Sequence, residues 1–342
     1  MKTVFSEKHK LRNVKTELAG GELVAPFECP VRAEHILNRV KDVQLGDIIA
    51  PNSYGLDPIN RIHDGNYVNF LERCWTEWQK TGHKGEAIPI VFPVRTMRQK
   101  RPNDIEGQLG YYALGAETSI GDGTYEAARS AVDVALTAQK IVSAGERSAF
   151  ALCRPPGHHA AADLYGGYCF FNNAAIAAQS FLDEGASRVA ILDVDFHHGN
   201  GTQSIFYNRE DVLFLSLHGD PVDAFPHYLG YDDENGAGHG EGFTANFPMK
   251  PGTDYTDWQE ALKQACARIS DYSPDALVIS LGVDTFENDP ISFFKLKTDD
   301  FKRYGAVLAS LNLPTLFVME GGYAVEEIGI NAVNVLTGFE GG

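Results

Sequence analysis

From about residue 122 onward, short apolar runs alternate with amphipathic stretches along the chain. SAFALC (148–153), VAILDVD (189–195), DVLFLSL (211–217), DALVISLG (275–282) and TLFVME (315–320) are compact blocks rich in Val, Leu, Ile, Ala and Phe. Runs of this length without regular polar alternation predict strands covered on both faces, as in a parallel sheet. Between them, TYEAARSAVDVALTAQKIVSAG (124–145) sets Ala128, Val132, Ala135 and Val142 near helical spacing and closes at Gly145. NNAAIAAQSFLDEG (172–185) predicts a second helix, with Asn172 or Asn173 as N-cap and Gly185 as stop. Strands alternating with helices predict an α/β fold, an open and mostly parallel sheet flanked by helices.

Residues 84–123 break the pattern. KGEAIPIVFPVRTMRQKRPNDIEGQLGYYALGAETSIGDG is rich in Gly and Pro and has no clear period. It predicts a long loop insertion within a single domain spanning residues 1–342. Arg95, Arg98, Lys100 and Arg101 cluster in it. With Asp104, Glu106 and Glu117 nearby to balance them, they read as a solvated loop or an interface. Neither repeats nor a low-complexity linker divide the chain.

Composition narrows the function classes. Hydrophobic residues make up 44% of the chain, enough for a sizeable core. Asp and Glu number 46 against 29 Lys and Arg, a formal net charge of −17. That balance argues against a nucleic-acid partner and against an anionic membrane surface, and it favours small cationic partners. Cys29, Cys74, Cys153, Cys169 and Cys266 are odd in number and form no CxxC, as expected of free thiols in a reducing compartment. MKTVFSEKHKLRN at the start lacks the apolar core of a signal peptide, and no apolar run reaches membrane-span length. The expectation is a soluble, cytoplasmic protein.

Candidate chemistry gathers where the apolar runs end. Ligands of open α/β sheets bind at the carboxyl ends of strands. Here SAFALC runs into RPPGHH (154–159), VAILDVD into FHHGNG, DALVISLG into VDTFENDP (283–290), and TLFVME into GGY (321–323). Four such ends rich in His, Asp and Tyr predict one shared site. In extended chain Asp195 and His197 would face the same side, roughly 6.6 Å apart, and could converge on one metal with Asp284. Two carboxylates and one imidazole neutralise a divalent ion and leave a position for water. The set suits zinc, and its oxygen content also suits Fe(II), Co(II) or Mn(II). His158 and His159 follow two stiffening prolines. With different partners, for which Asp193 and Asn200 are candidates, they can hold different protonation states. Tyr323, after Gly321 and Gly322, can donate to a developing oxyanion. GAGHGEG (236–242) lacks both a preceding strand and dinucleotide spacing, and reads as a turn.

In this order RPPGHH, DVDFHHGNG, LGVDTFENDP and EGGY resemble the zinc-dependent, histone-deacetylase-like branch of the arginase/deacetylase superfamily. The resemblance runs from VFSEKH (4–9) through HDGNYVNFL (63–71) to the end of the chain. Within that branch FPVR, DIEGQLGYY, HGDPVDAFPHYLGY and DPISFFKL are similar to bacterial acetylpolyamine amidohydrolases. Gly199 and Phe286 stand where the two-metal arginase patterns need further aspartates, so the resemblance is to a site with one catalytic metal. It implies the arginase/deacetylase fold, with Zn²⁺ on Asp195, His197 and Asp284. It implies His159 as general base and then acid, His158 as electrostatic helper, and Tyr323 as oxyanion donor. Tyr168 and Phe225 match aromatic walls of a substrate tunnel, and Glu117 and Glu106 match acids that attract the substrate's ammonium groups. The insertion matches a homodimer interface that narrows the entrance. Structural K⁺ or Na⁺ is implied at Asp193, Asp195, His197, Ser216 and Leu217, and again at Phe206, Arg209, Val212 and Phe243. The implied reaction is deacetylation of acetylputrescine, acetylcadaverine or acetylspermidine to acetate and free amine. The alternatives are a lysine deacetylase acting on proteins or peptides, and a non-catalytic binder of acetyl groups or polyamines.

Overall fold

The computed structural model describes residues 1–341. In chain order the strands are β1 (Lys2–Val4), β2 (Glu17–Ala19), β3 (Glu22–Val24), β4 (Ile48–Ile49), β5 (Ser148–Ala151), β6 (Val189–Asp193), β7 (Val212–Gly219), β8 (Thr244–Met249), β9 (Ala276–Leu281) and β10 (Thr315–Met319). The helices are α1 (Pro30–Asp42), α2 (Asp57–Asn60), α3 (Gly65–Lys80), α4 (Ile105–Tyr111), α5 (Thr124–Ser143), α6 (Asn173–Asp183), α7 (Asn200–Phe206), α8 (Tyr255–Tyr272), α9 (Thr298–Ala309) and α10 (Ile328–Glu340). Eight strands form one sheet in the order β4-β1-β5-β10-β9-β6-β7-β8, and every pairing in it is parallel. The small β2–β3 hairpin stands apart.

All five apolar runs are strands of this sheet, and each is buried on both faces. In β6, Val189 and Ile191 enter one core with α3, α5 and α6. Ala190 and Leu192 enter the opposite core with α1, α8, α9 and α10. Alternate side chains thus feed two helical layers, which is why these strands carry no polar alternation. The helix expected over 124–145 is α5, with Ala128, Val132, Ala135 and Val142 all buried. The helix expected over 172–185 is α6, capped by Asn172, whose side chain accepts from Ala175 N.

Three strands of the sheet escape the apolar pattern for physical reasons. β4 has only two residues. β1 has three residues, too few for any period. β8 (TANFPM) lies at the sheet edge, where Pro248 costs no interior ladder bond. The insertion needs a correction. It is not wholly loop, because α4 lies inside it, capped by Asp104 Oδ2 accepting from the N–H groups of Glu106 and Gly107. Its base is closed by a reciprocal backbone pair between Ala87 and Ile120, at 2.8 and 2.9 Å. Near its start, Ile90, Val91, Val94 and Met97 stand exposed. No helix among the described residues is long and apolar enough to cross a membrane.

The sheet order positions the chemistry. β5, β10, β9 and β6 are consecutive neighbours. The four segments that leave their carboxyl ends are therefore brought side by side.

Candidate active site

Asp195 and His197 lie beyond the end of β6, in a bend and not in extended chain. The expected same-face geometry is supplied instead by a relay of carboxylates. Asp195 N donates to Asp193 Oδ1 at 3.1 Å, and His197 N donates to Asp195 Oδ1 at 2.9 Å. From β9, Asp284 Oδ1 accepts from Phe196 N at 2.7 Å, and from the β10 end Gly321 N donates to Asp195 Oδ2 at 2.8 Å. These bonds gather the three side chains so that one ligand atom of each lies within 4.8 Å of the others. His197 Nδ1 is 2.9 Å from Asp284 Oδ2 and 3.4 Å from Asp195 Oδ1.

Two glycines make room for this approach. A Cβ on Gly282 would fall inside the van der Waals shell of Asp195 Oδ2. One on Gly321 would lie 2.6 Å from both Asp195 Oδ2 and Asp284 Oδ2. Burial, then the charge of Asp195, pushes the Asp284 carboxyl up to about 8. Asp195 moves the other way: burial opposes its charge, but His158 and His197 hold it below the usual carboxylate range. Two carboxylates this close, with an imidazole nitrogen facing them in a buried cradle, are a candidate donor set that could hold a divalent cation.

The histidine pair is differentiated by its partners. His158 Nδ1 lies 3.0 Å from Asp193 Oδ2, and His159 Nδ1 lies 2.6 Å from Asn200 Oδ1. Asn200 Nδ2 also donates to the carbonyl of His159 at 3.4 Å, which sets its Oδ1 as the acceptor. That pairing favours the His159 tautomer protonated on Nδ1, with Nε2 left as the acceptor. Burial opposes charge on His158, yet Asp195 and Asp193 raise it to about 10. Burial, then the charges of His158 and His197, keep His159 well below the usual imidazole range. The adjacent rings, 4.0 Å apart, are thus pushed in opposite directions by their surroundings.

A cavity of about 280 Å³ opens over these groups. His159, His197 and Tyr323 line its inner end, with Tyr168 and Phe225 as walls. Phe225 meets the His159 ring edge-on at 5.1 Å, and Tyr168 meets Tyr323 at 5.6 Å. Glu117 lines the same cavity, its Oε1 accepting from Gly167 N at 2.7 Å.

A histone deacetylase domain profile matches residues 26–339, from before α1 to the end of α10. The chain belongs to the histone deacetylase family. As a member of it, the protein is a deacetylase, a hydrolase. The chain is 57% identical over 341 residues to an acetylpolyamine amidohydrolase of Mycoplana ramosa, covering 100% of both chains. It is 55% identical to acetylpolyamine amidohydrolase 2 of Pseudomonas aeruginosa, covering 100% of this chain and 99% of that one. The crystal structure of the acetylpolyamine aminohydrolase of Burkholderia pseudomallei superposes with a TM-score of 0.95 at 38% identity, covering 99% of this chain and 98% of that one.

Not every expected residue of this deacetylase reaches the cavity. Glu106 sits on α4, half-buried, paired with His83 at 2.7 Å, and is not part of the cavity wall. Among the described residues no ion pair joins Glu106 or Glu117 to the basic cluster, and Glu117 lines the cavity. Asp193 and Ser216, two of the first expected monovalent-cation set, are register partners across β6 and β7. Phe206, Arg209, Val212 and Phe243 gather near the amino end of β7, where Phe214 N donates to the carbonyl of Phe243 at 2.9 Å. Sequence reasoning missed Glu17. It sits on β2, lines the cavity and accepts from Tyr168 Oη at 3.2 Å and Phe27 N at 3.1 Å. The signal was present in TELAGGELV, where Gly20-Gly21 between two short runs marks a hairpin.

Proposed function

We propose that the protein is a zinc-dependent amidohydrolase that removes acetyl groups from acetylated polyamines and diamines, such as acetylputrescine, acetylcadaverine and acetylspermidine. The observation that carries this reading is the cavity. It is walled by Tyr168 and Phe225, ends on His159 and Tyr323, and holds Glu117 and Glu17 on its sides. A slender acyl-amine fits between the rings, while the carboxylates and a net charge of −17 attract its free ammonium. The full-length similarity to two acetylpolyamine amidohydrolases supports the same substrate class.

Asp195, His197 and Asp284 would hold the zinc, which when bound supplies Lewis acidity toward the acetyl carbonyl and lowers the pKa of a water. The same donor set accepts Fe(II) or Co(II). The chain's own residues do the rest. His159 Nε2 takes the proton of the attacking water and returns it to the leaving amine. Asn200 keeps the His159 proton on Nδ1, so Nε2 stays free. His158, held by Asp193, places a positive charge beside the developing oxyanion. Tyr323 donates its phenol proton to that oxygen in a hydrogen bond.

The remaining assignments belong to the same reading. Structural K⁺ or Na⁺ would sit beside Asp193, Asp195, His197, Ser216 and Leu217, and beside Phe206, Arg209, Val212 and Phe243. The exposed Ile90, Val91, Val94 and Met97 support a homodimer built through the insertion, where Glu106 would face the partner's entrance. Five free thiols support a cytoplasmic location.

The test is kcat/KM of the zinc-loaded enzyme for N-acetylputrescine beside an acetyl-lysine peptide. A preference for the diamine on the order of 10²-fold is expected. A preference for the peptide would leave amide hydrolysis standing and overturn the polyamine assignment. A second measurement isolates the ammonium contact. Glu117→Gln keeps an acceptor for Gly167 N and removes the charge. KM for N-acetylputrescine should rise roughly tenfold or more, the worth of one charge-assisted hydrogen bond. KM for N-butylacetamide, which has no ammonium, should stay unchanged. Equal effects on both substrates would remove Glu117 from ammonium recognition.

A further inference from the structure

Asp289 belongs to the segment after β9, and its side chain makes no hydrogen bond to the ligand triad or the histidine pair. It is 7% exposed, and its carboxylate points at the backbone that carries the phenol. Its Oδ2 accepts from Tyr323 N at 2.7 Å and from Ala324 N at 3.3 Å, and its Oδ1 accepts from Ile291 N at 3.1 Å. That backbone needs an anchor. Gly321 and Gly322 precede Tyr323, and Gly322 has φ +129°, so the segment has no intrinsic stiffness. On its other side Arg32 holds the carbonyls of Gly322 and Glu320 at 2.6 and 2.7 Å and lies 4.8 Å over the Tyr323 ring. Arg32 grips the strand before the tyrosine, and Asp289 grips the N–H groups at and after it. Rotating those two N–H groups away from the carboxylate would swing Cα of Tyr323 and carry the hydroxyl with it.

We propose that Asp289 is a positioning residue for hydrolysis, fixing the main chain at Tyr323 so that the phenol meets the acetyl oxygen. This rests on the oxyanion role given to Tyr323 above. The test is a double-mutant cycle on the zinc-loaded enzyme with N-acetylputrescine, combining Asp289→Ala and Asp289→Asn with Tyr323→Phe. Losing one preorganised donor costs about 10²- to 10³-fold in kcat, so misplacing it with Asp289→Ala should cost roughly 10- to 100-fold, with KM within about threefold. Asp289→Asn keeps one acceptor oxygen and the side-chain volume, so it should cost less, about 3- to 10-fold; it carries the cycle if the alanine variant does not fold. In the Tyr323→Phe background either substitution should add less than about threefold, because the group it positions is gone. Hydrogen exchange of the peptide spanning 320–327 should quicken in both Asp289 variants, while peptides from β9 and β10 stay protected. The same fold-loss with and without the tyrosine hydroxyl, or unchanged exchange, would overturn the positioning role alone. Full kcat in Tyr323→Phe would overturn the oxyanion reading, and the positioning role with it.

Discussion

Asp195→Ala should abolish turnover, and added zinc should not restore it. Asp195 is fully buried and is the hub of the ligand cluster. Its Oδ1 orders the His197 backbone, and its Oδ2 holds Gly321 N. On the proposed reading, removing it deletes one ligand and loosens the segments that carry His197 and Tyr323. Partners that merely support a metal ligand cost 10- to 100-fold when lost, so losing the ligand itself should cost on the order of 10³-fold or more. Asp195→Asn separates the two effects. It preserves shape and acceptor oxygen but lacks the charge that a divalent ion requires, and its activity should fall by a similar factor. The measurements are kcat/KM at saturating zinc and the metal-to-protein ratio after gel filtration. Chelation should silence the wild type and zinc should revive it. Retained turnover in either variant would remove the metal assignment.

Glu28→Gln should destabilise the protein by about 3–5 kcal/mol, the cost of breaking a buried ion pair by removing one partner. One fully buried carboxylate here serves three buried guanidiniums. Glu28 Oε1 accepts from Arg154 Nε at 2.7 Å and Arg32 Nη1 at 3.0 Å, while Oε2 lies 3.6 Å from Arg12 Nε. Burial alone would raise this carboxyl, but the three arginines hold it below its usual range, so it is charged at neutral pH. Because the folded value lies below the unfolded one, this stabilisation is present at neutral pH and is lost as pH falls below the ordinary carboxylate range. Neutralising Glu28 leaves three cations facing one another without water. The effect should reach the site, because Arg154 opens the RPPGHH segment and Arg32 holds the carbonyls of Glu320 and Gly322. Denaturant unfolding would show a lower midpoint with an unchanged slope. A variant within about 1 kcal/mol of the wild type would mean that solvent or rearrangement satisfies the arginines.

Much of the site was readable because its chemistry is local. Asp195 and His197 are two residues apart, and His158 and His159 are adjacent. Asp193 and Asn200 flank the bend that carries Asp195 and His197, and they are the two histidine partners. Apolar runs buried on both faces marked β5, β6, β7, β9 and β10, and their carboxyl ends marked where to look. What escaped was non-local or short. Glu17 reaches Tyr168 across 151 positions, from a three-residue strand with no detectable period. Glu106 matched the same role in sequence, second to Glu117, yet α4 carries it away from the cavity wall while Glu117 lines it and accepts from Gly167 N.

The sequence by itself determined the reagents: the ligand types and a tyrosine on a glycine-rich hinge. These follow from composition and spacing over a few residues, where covalent geometry limits the outcomes. Only the tertiary structure decided that β5, β10, β9 and β6 would be neighbours, so that four separate strand ends share one cavity. It also decided that Arg12, Arg32 and Arg154 would converge on Glu28, and that Asp289 would meet the backbone of Tyr323. Strand order and burial arise from packing two helical layers on one sheet, and no local periodicity encodes which distant segments that packing will bring together.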